Sequence, residues 1–262
     1  MRLNAPAPPP SLVDEEEAGY RFVGSNGIFR VAVRHGRMVA LACAILRDDE
    51  WFLSGFWADP NVRQQGIGGP LLREVWDEGV RRGARRKFVW ASPDPTAIAT
   101  YLKLGMLPGS QLFAFSGTPR LPAAAGFETR QLAVEDATAI DRVIRGVGRS
   151  VDHQWWLAQP ERAARLVTVR GKPAGYYYYA ADGRVGPAAW LESSDGSAVL
   201  SHAMRDAADQ SGRVQLVAPG MNHVAIAAAL AAGLRLERSS HLLWTEPFGR
   251  MERYIPSGPL LF

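Results

Sequence analysis

The sequence predicts an α/β chain (α+β mixed sheet) built as two tandem modules, each a mostly antiparallel twisted sheet flanked by helices. Two observations carry this. Strand-like runs joined by short polar turns are followed by a helix, strand, helix, strand order, and that order occurs twice. The second copy also repeats a late pattern of the first: Asp94-x-x-Ala97 with Gly105-Met106 becomes Asn222-x-x-Ala225 with Gly233-Leu234, a shift of 128 residues at each position. Tandem duplication of one module is the economical explanation.

Element by element, Pro6 to Pro10 and the acidic Asp14 to Glu17 read as a leader with at most one short helix. Strands follow at Ile28 to Arg34, Met38 to Leu46 and Trp51 to Ala58, separated by His35-Gly36-Arg37 and Arg47-Asp48-Asp49, as in an antiparallel meander. Leu72, Val75, Trp76 and Val80 recur at helical spacing and predict a helix from Leu71 to Gly83. After a strand at Lys87 to Ala91, Asp94 caps a helix from about Pro95 to Leu104 that Gly105 ends; a strand at Gln111 to Ser116 closes the first half. The Pro/Ala-rich stretch from Gly117 to Gly126 reads as a linker. The second half predicts a strand at Phe127 to Gln131 and helices at Val134 to Gly146 and Asp152 to Arg165. Strands are expected at Leu166 to Val169, Gly175 to Ala180 and Gly186 to Leu191, then helix Ser197 to Gly212, strand Val214 to Ala218, helix Asn222 to Ala232 and strand Arg235 to Trp244.

Hydrophobic residues form 47% of the 262 and charged residues 21%, the balance of a globular chain, which argues against disordered and coiled-coil classes. No apolar run reaches the roughly 18 residues of a spanning helix, and the first ten residues lack a signal-peptide pattern, so a soluble cytoplasmic protein with no membrane partner is expected. The single Cys43 excludes an intrachain disulfide and reads as a core thiol. The net charge of +4 suits anionic partners such as a phosphorylated co-substrate.

The most informative segment runs from Ala58 to Leu72 and contains Arg63-Gln64-Gln65-Gly66-Ile67-Gly68-Gly69. A strand ends, the chain turns, and a glycine-rich loop opens a helix. Glycines admit a phosphate close to the backbone, while free amides and the helix dipole stabilise its charge, so a pyrophosphate site is the physical inference. The spacing fits neither the P-loop nor the dinucleotide fingerprint.

Arg63, Gly66 and Gly68 do resemble the R/Q-x-x-G-x-G/A motif of the GCN5-related N-acetyltransferase (GNAT) superfamily. Asp94-x-x-Ala97-x-x-x-Tyr101-x-x-x-Gly105-Met106 is similar to that family's second motif, and the resemblance covers Ile28 to about Ser116. It implies acetyl-CoA as co-substrate, no metal, and cofactor-binding roles for Arg63, Gln64, Gln65, Gly66, Ile67, Gly68, Gly69 and Asp94. Phe56, Trp57 and Ala58 would present backbone groups to pantetheine and the thioester carbonyl. Tyr101 would be the catalytic residue, a general acid toward the departing thiolate. Asp94 stands where the family has Asn, and Pro70 removes one amide from the first helical turn.

In these terms the expected organisation is a GNAT-like acetyl-CoA-binding domain at residues 1–118 with truncated N-terminal helices, a linker at 119–125, and a degenerate GNAT-like domain at 126–262 without a phosphate loop. There, Leu191 to Ser197 carries one glycine and two acids, and Ala229 takes the tyrosine's place. The function expected is an acetyl-CoA-dependent N-acetyltransferase acting on a primary amine, a small-molecule acceptor, in a monomer or homodimer; the alternative is an acyl-CoA-binding sensor or pseudoenzyme. No carboxylate stands on the strand Trp51 to Ala58, so Asp49, Glu50, Asp152 and His153 are the candidates for general base. Tyr176 to Tyr179 predict two core and two surface rings, and Trp155 and Trp156 predict packing. The run Arg81 to Lys87 reads as a solvated helix end rather than a nucleic-acid patch, and His202, His223 and His241 lack metal-ligand spacing.

Overall fold

The computed structural model describes residues 10–62, 65–121 and 127–262, with backbone alone for 10–16. The chain opens with α1 (Pro10–Asn26), then the meander β1 (Ile28–Arg34), β2 (Arg37–Arg47) and β3 (Glu50–Ala58). A 3-10 turn at Pro60–Val62 leads to α2 (Gly68–Arg81), β4 (Arg86–Ala91), α3 (Pro95–Lys103) and β5 (Leu107–Gly117). The second half contains β6 (Glu128–Gln131), α4 (Val134–Ile144), α5 (Ser150–Leu157), β7 (Arg162–Val169), β8 (Lys172–Ala180) and β9 (Val185–Trp190). It ends with α6 (Gly196–Ser211), β10 (Val214–Pro219), α7 (His223–Ala231), β11 (Arg235–Trp244) and β12 (Tyr254–Ile255). The 128-residue shift holds for whole elements, since α2, β4, α3 and β5 begin at 68, 86, 95 and 107, and α6, β10, α7 and β11 at 196, 214, 223 and 235.

Three expectations change. From Pro10 onward the leader runs into a 17-residue helix, Pro10–Asn26, because Tyr20, Phe22 and Val23 bring an apolar face to the core and Phe22 lies 5.0 Å from the Trp155 ring. The helix expected over Asp152 to Arg165 ends at Leu157, as Pro160 lacks the amide a helix interior requires; Arg162 to Arg165 are already strand. Tyr176, Tyr177 and Tyr178 are all fully buried rather than alternating with solvent, since β8 is covered on both faces. Tyr176 and Tyr178 join the core between the halves, and Tyr177 joins the core under α6.

The strands form two sheets, β1-β2-β3-β4-β11-β5-β10 and β12-β9-β8-β7-β6. The order interlocks the halves. β11 of the second half lies between β4 and β5 of the first, and β5 in turn lies between β11 and β10 of the second. Each half therefore supplies a strand that completes the other's sheet. One core cluster, containing Phe52, Phe88, Leu112, Trp156, Tyr176, Tyr178, Leu242 and Phe262, draws on both halves. Cys43 belongs to it, and burial pushes its thiol up to about 12, so it is a core thiol as read.

Two parallel neighbours in this architecture separate along their length. β3 and β4 pair only from Glu50 against Arg86 to Leu53 against Val89, although β3 continues to Ala58 and β4 to Ala91. A bulge on β3 at Ser54, where Cys43 faces Gly55 and Ala44 faces Leu53, turns the strand away at that point. In the second half β9 and β10 are linked through a bridge between Arg184 and Gln215. There β12 enters the equivalent opening, with Tyr254 against Ala189 and Ile255 against Ala188. Asn222, the cap of α7, donates through Nδ2 to the Tyr254 carbonyl at 3.0 Å.

Candidate active site

The opening between β3 and β4 leads into a groove of about 540 Å³. Phe56, Trp57 and Ala58 form its β3 edge. Gly66, Ile67, Gly68 and Gly69 contribute the turn into α2, while Asp94 and Tyr101 come from the cap and body of α3. Nine of the residues singled out from sequence thus meet in one concavity. Gln65 lies outside the lining; its amide donates to the Val62 carbonyl at 3.2 Å and its side-chain oxygen accepts from Arg34 at 2.9 Å. Arg63 and Gln64 lie outside the described residues. Val62, Ser92, Thr96 and Thr100 also line the groove. They escaped sequence reasoning because short polar or apolar residues near caps carry no distinguishing pattern.

The turn is built to leave donors free. Gly66 has φ of 78°, a left-handed conformation that favours glycine. Ile67 caps α2 without a side-chain hydrogen bond, and the amides of Gly66, Ile67, Gly68 and Gly69 donate to no described residue. A Cβ on Gly69 would meet nothing within 4 Å, so the approach to these amides is open. Pro70 sits in the first turn, where its missing amide costs the helix nothing but offers no donor. Four converging amides at the positive end of a helix fit a pyrophosphate. Across the groove, Asp94 accepts from the Thr96 amide at 2.8 Å, which orients α3.

Tyr101 is 6% exposed, and its hydroxyl makes no hydrogen bond to a described residue. Burial, reinforced by the nearby Asp94 carboxylate, pushes the phenol up to about 12. It stays protonated throughout the neutral range, a donor awaiting an acceptor.

The four candidates for general base are engaged elsewhere. Asp49 pairs with Arg86, and Glu50 accepts from Arg145 at 2.9 Å; burial raises the Glu50 carboxyl against the pull of Arg145 and Arg86. Asp152 pairs with Arg47. His153 bonds to the Tyr178 hydroxyl at 2.9 Å through Nδ1 and to Asp141 at 2.8 Å through Nε2. Asp141 also accepts from Arg149 at 2.7 Å and from the Tyr176 hydroxyl. Burial opposes charge on Asp141, yet Arg149 and His153 hold its carboxyl far below the usual carboxylate range. None of the four lines the groove, whose titratable side chains among the described residues are Asp94 and Tyr101. Two pairs, Arg47 with Asp152 and Arg145 with Glu50, join the halves, while Asp141, Arg149, His153, Tyr176 and Tyr178 all belong to the second half.

The run Arg81 to Lys87 is more engaged than a solvated end. Arg81 and Arg82 pair with Glu78, and Lys87 is buried with its ammonium 4.9 Å from the Trp76 ring centre.

Residues 3–106 match the model of the Acetyltransferase (GNAT) family. The search of curated proteins gives no match. Among solved structures, a putative acetyltransferase from Pyrococcus horikoshii superposes with a TM-score of 0.80 at 15% identity, covering 99% of this chain and 88% of that one. A tandem GNAT protein from the clavulanic acid biosynthesis pathway gives 0.58 at 17% identity, over 93% of this chain and 90% of the other. A GCN5-related N-acetyltransferase from Kribbella flavida gives 0.59 at 17% identity; this chain covers 65% of its length, and 93% of this chain is covered. Residues 3–106 are therefore similar to the acetyltransferase (GNAT) family, and along nearly all its length the chain shares the fold of solved acetyltransferase structures.

Proposed function

We propose that the chain is an acetyl-CoA-dependent N-acetyltransferase that acetylates a primary amine on a small molecule, with the donor site in the first half. The observation that carries the reading is that the amides of Gly66 to Gly69 and the protonated Tyr101 hydroxyl, none of them bonded to a described residue, belong to one groove in the β3/β4 opening. The amides of Gly66 to Gly69 would hold the pyrophosphate. The edge of β3 released after Leu53 would align the pantetheine arm as an added strand, with Phe56 to Ala58 beside the thioester. Bound acetyl-CoA supplies an activated acyl carbon. Tyr101 would hydrogen-bond the sulfur as negative charge develops; a phenol near 12 is a weaker acid than an ordinary thiol near 8.5, so it acts by donation in the transition state, and solvent completes the protonation. With none of the four candidate bases lining the groove and Asp94 engaged by the Thr96 amide, the amine would reach the site neutral or lose its proton to water.

The modules at residues 1–118 and 126–262 would work as one unit. In the second, β12 stands where the donor's arm would lie and Ala229 replaces the phenol, which supports a single donor site. That none of the four candidate bases lines the groove favours one competing reading, an acyl-CoA sensor without turnover. Calorimetric titration with acetyl-CoA, followed by CoA release over a panel of amines with wild type and Tyr101→Phe, tests both. Binding with turnover that falls on loss of the phenol supports the enzyme; binding without turnover supports the sensor; no binding removes both.

A further inference from the structure

A second cavity, about 720 Å³, lies on the face of the seven-stranded sheet opposite α2 and α3. It shares Ser92 with the donor groove. Trp90 turns away from Val89 and Ala91, which pack under α2 and α3, and its Nε1 donates to Ser240 at 2.7 Å on the cavity floor. β11 is an interior strand of this sheet, yet Glu237, Arg238 and Ser239 are exposed. An interior strand covered on both faces would be apolar. Its polar stretch marks a floor that no described helix covers.

We propose that this cavity receives the acceptor and that the acceptor is an amine carrying a carboxylate or phosphate, recognised by Arg213 and Arg238. The proposal rests on the acetyltransferase reading and deepens it. Both guanidinium groups line the cavity and neither forms an ion pair with a described residue. The one carboxylate in the lining, Glu237, already accepts from Ser116 at 2.9 Å. The field inside is positive, and arginine forks match carboxylate or phosphate oxygens with paired hydrogen bonds. Strand order also sets a length. Ser92, past the end of β4, falls opposite Ser240 on β11, so Arg238 is one strand spacing across and two residues along, roughly 8 Å, while Arg213, before β10, is three spacings across and six residues along, roughly 24 Å. An amine presented at Ser92 with its anion several bonds away spans the gap to Arg238. Transfer would form the amide N–C bond and break the thioester C–S bond, with the amine's proton released to water and the sulfur protonated, so no further reactant is required.

Matched pairs test this: ω-aminohexanoate against ω-aminohexanamide, and phosphoethanolamine against ethanolamine. In at least one pair the anionic member is expected to show a kcat/KM higher by about ten-fold or more. Arg238→Gln and Arg213→Gln should erase the preference by raising KM for the anion, with KM for acetyl-CoA unchanged. Equal use of both members in both pairs, or a preference untouched by either substitution, overturns the proposal. A readout without turnover separates it from the donor-site reading. Phenylglyoxal modification of Arg213 and Arg238, followed by mass spectrometry, should slow in succinate or in inorganic phosphate. No protection by either anion overturns the anion site even if amines are acetylated. Protection together with failure to acetylate any amine supports the anion site and removes the acetyltransferase reading instead.

Discussion

Gly69→Asp places a carboxylate where the structure gives stability and binding opposite signs. Gly69 is the second residue of α2, is exposed, and has open space around the position of a Cβ, so the side chain fits without displacement. A carboxylate in the first turn of a helix is stabilising by about 0.3–1 kcal/mol, with a few tenths more from replacing glycine. For a chain of this size the melting temperature should rise by about 1–4 °C. A bound pyrophosphate meets the same charge as a repulsion. Two phosphate charges about 5 Å away cost about 1.7 kcal/mol in a water-like dielectric and about twice that at half the dielectric constant. The dissociation constant for acetyl-CoA should therefore rise roughly 20- to 250-fold. Isothermal titration and thermal unfolding on the same preparations read both signs, with Gly69→Asn as a neutral variant of equal bulk expected to stay within about three-fold of wild type. If the aspartate variant is folded and binds acetyl-CoA within two-fold of wild type, the pyrophosphate does not lie at this turn.

Tyr101→Phe should lower kcat by about 100-fold or more while leaving acetyl-CoA affinity and melting temperature unchanged, since the hydroxyl has no described partner to lose. Because the phenol is pushed up to about 12, kcat/KM should climb with pH as the acceptor amine deprotonates and show no descending limb below about pH 10; a fall centred near pH 8 would exclude Tyr101 as the donor. Asp141→Asn leaves Arg149 buried without its carboxylate, and urea unfolding should register a loss of about 3–5 kcal/mol. Asp141 has a depressed folded-state pKa, so its contribution is present above the ordinary carboxylate range and fades as pH falls below it; the gap between wild type and variant should narrow on acidification. Acetyl-CoA should bind once per chain, because β12 occupies the second opening; a calorimetric stoichiometry of two would refute that reading.

The readable parts of the sequence were those in which local chemistry dictates local conformation. Asp94 and Asn222 cap their helices with bonds to Thr96 and Ala225, as the shared pattern implies, and β11 runs from Arg235 to Trp244 as expected. The repeat became legible because caps and terminal glycines recur at fixed offsets. Gly66 marked the turn into α2, because its φ of 78° is one that favours glycine.

What the tertiary structure decided was which distant segments meet. An alternating strand such as β11 reads the same whichever neighbours it pairs with, so the exchange that seats it between β4 and β5 left no local trace. Tyr254 and Ile255 are two residues of strand, too short for any periodicity, yet they fill the second opening. The candidate bases were visible as residue types, but only the joined halves paired Glu50 with Arg145 and Asp152 with Arg47, away from the groove. Arg213, Arg238 and Ser92 likewise line one cavity only through the pairing of the sheet. Backbone preferences act over a few residues and are written in sequence; pairing and burial between residues a hundred positions apart are settled when the chain closes on itself.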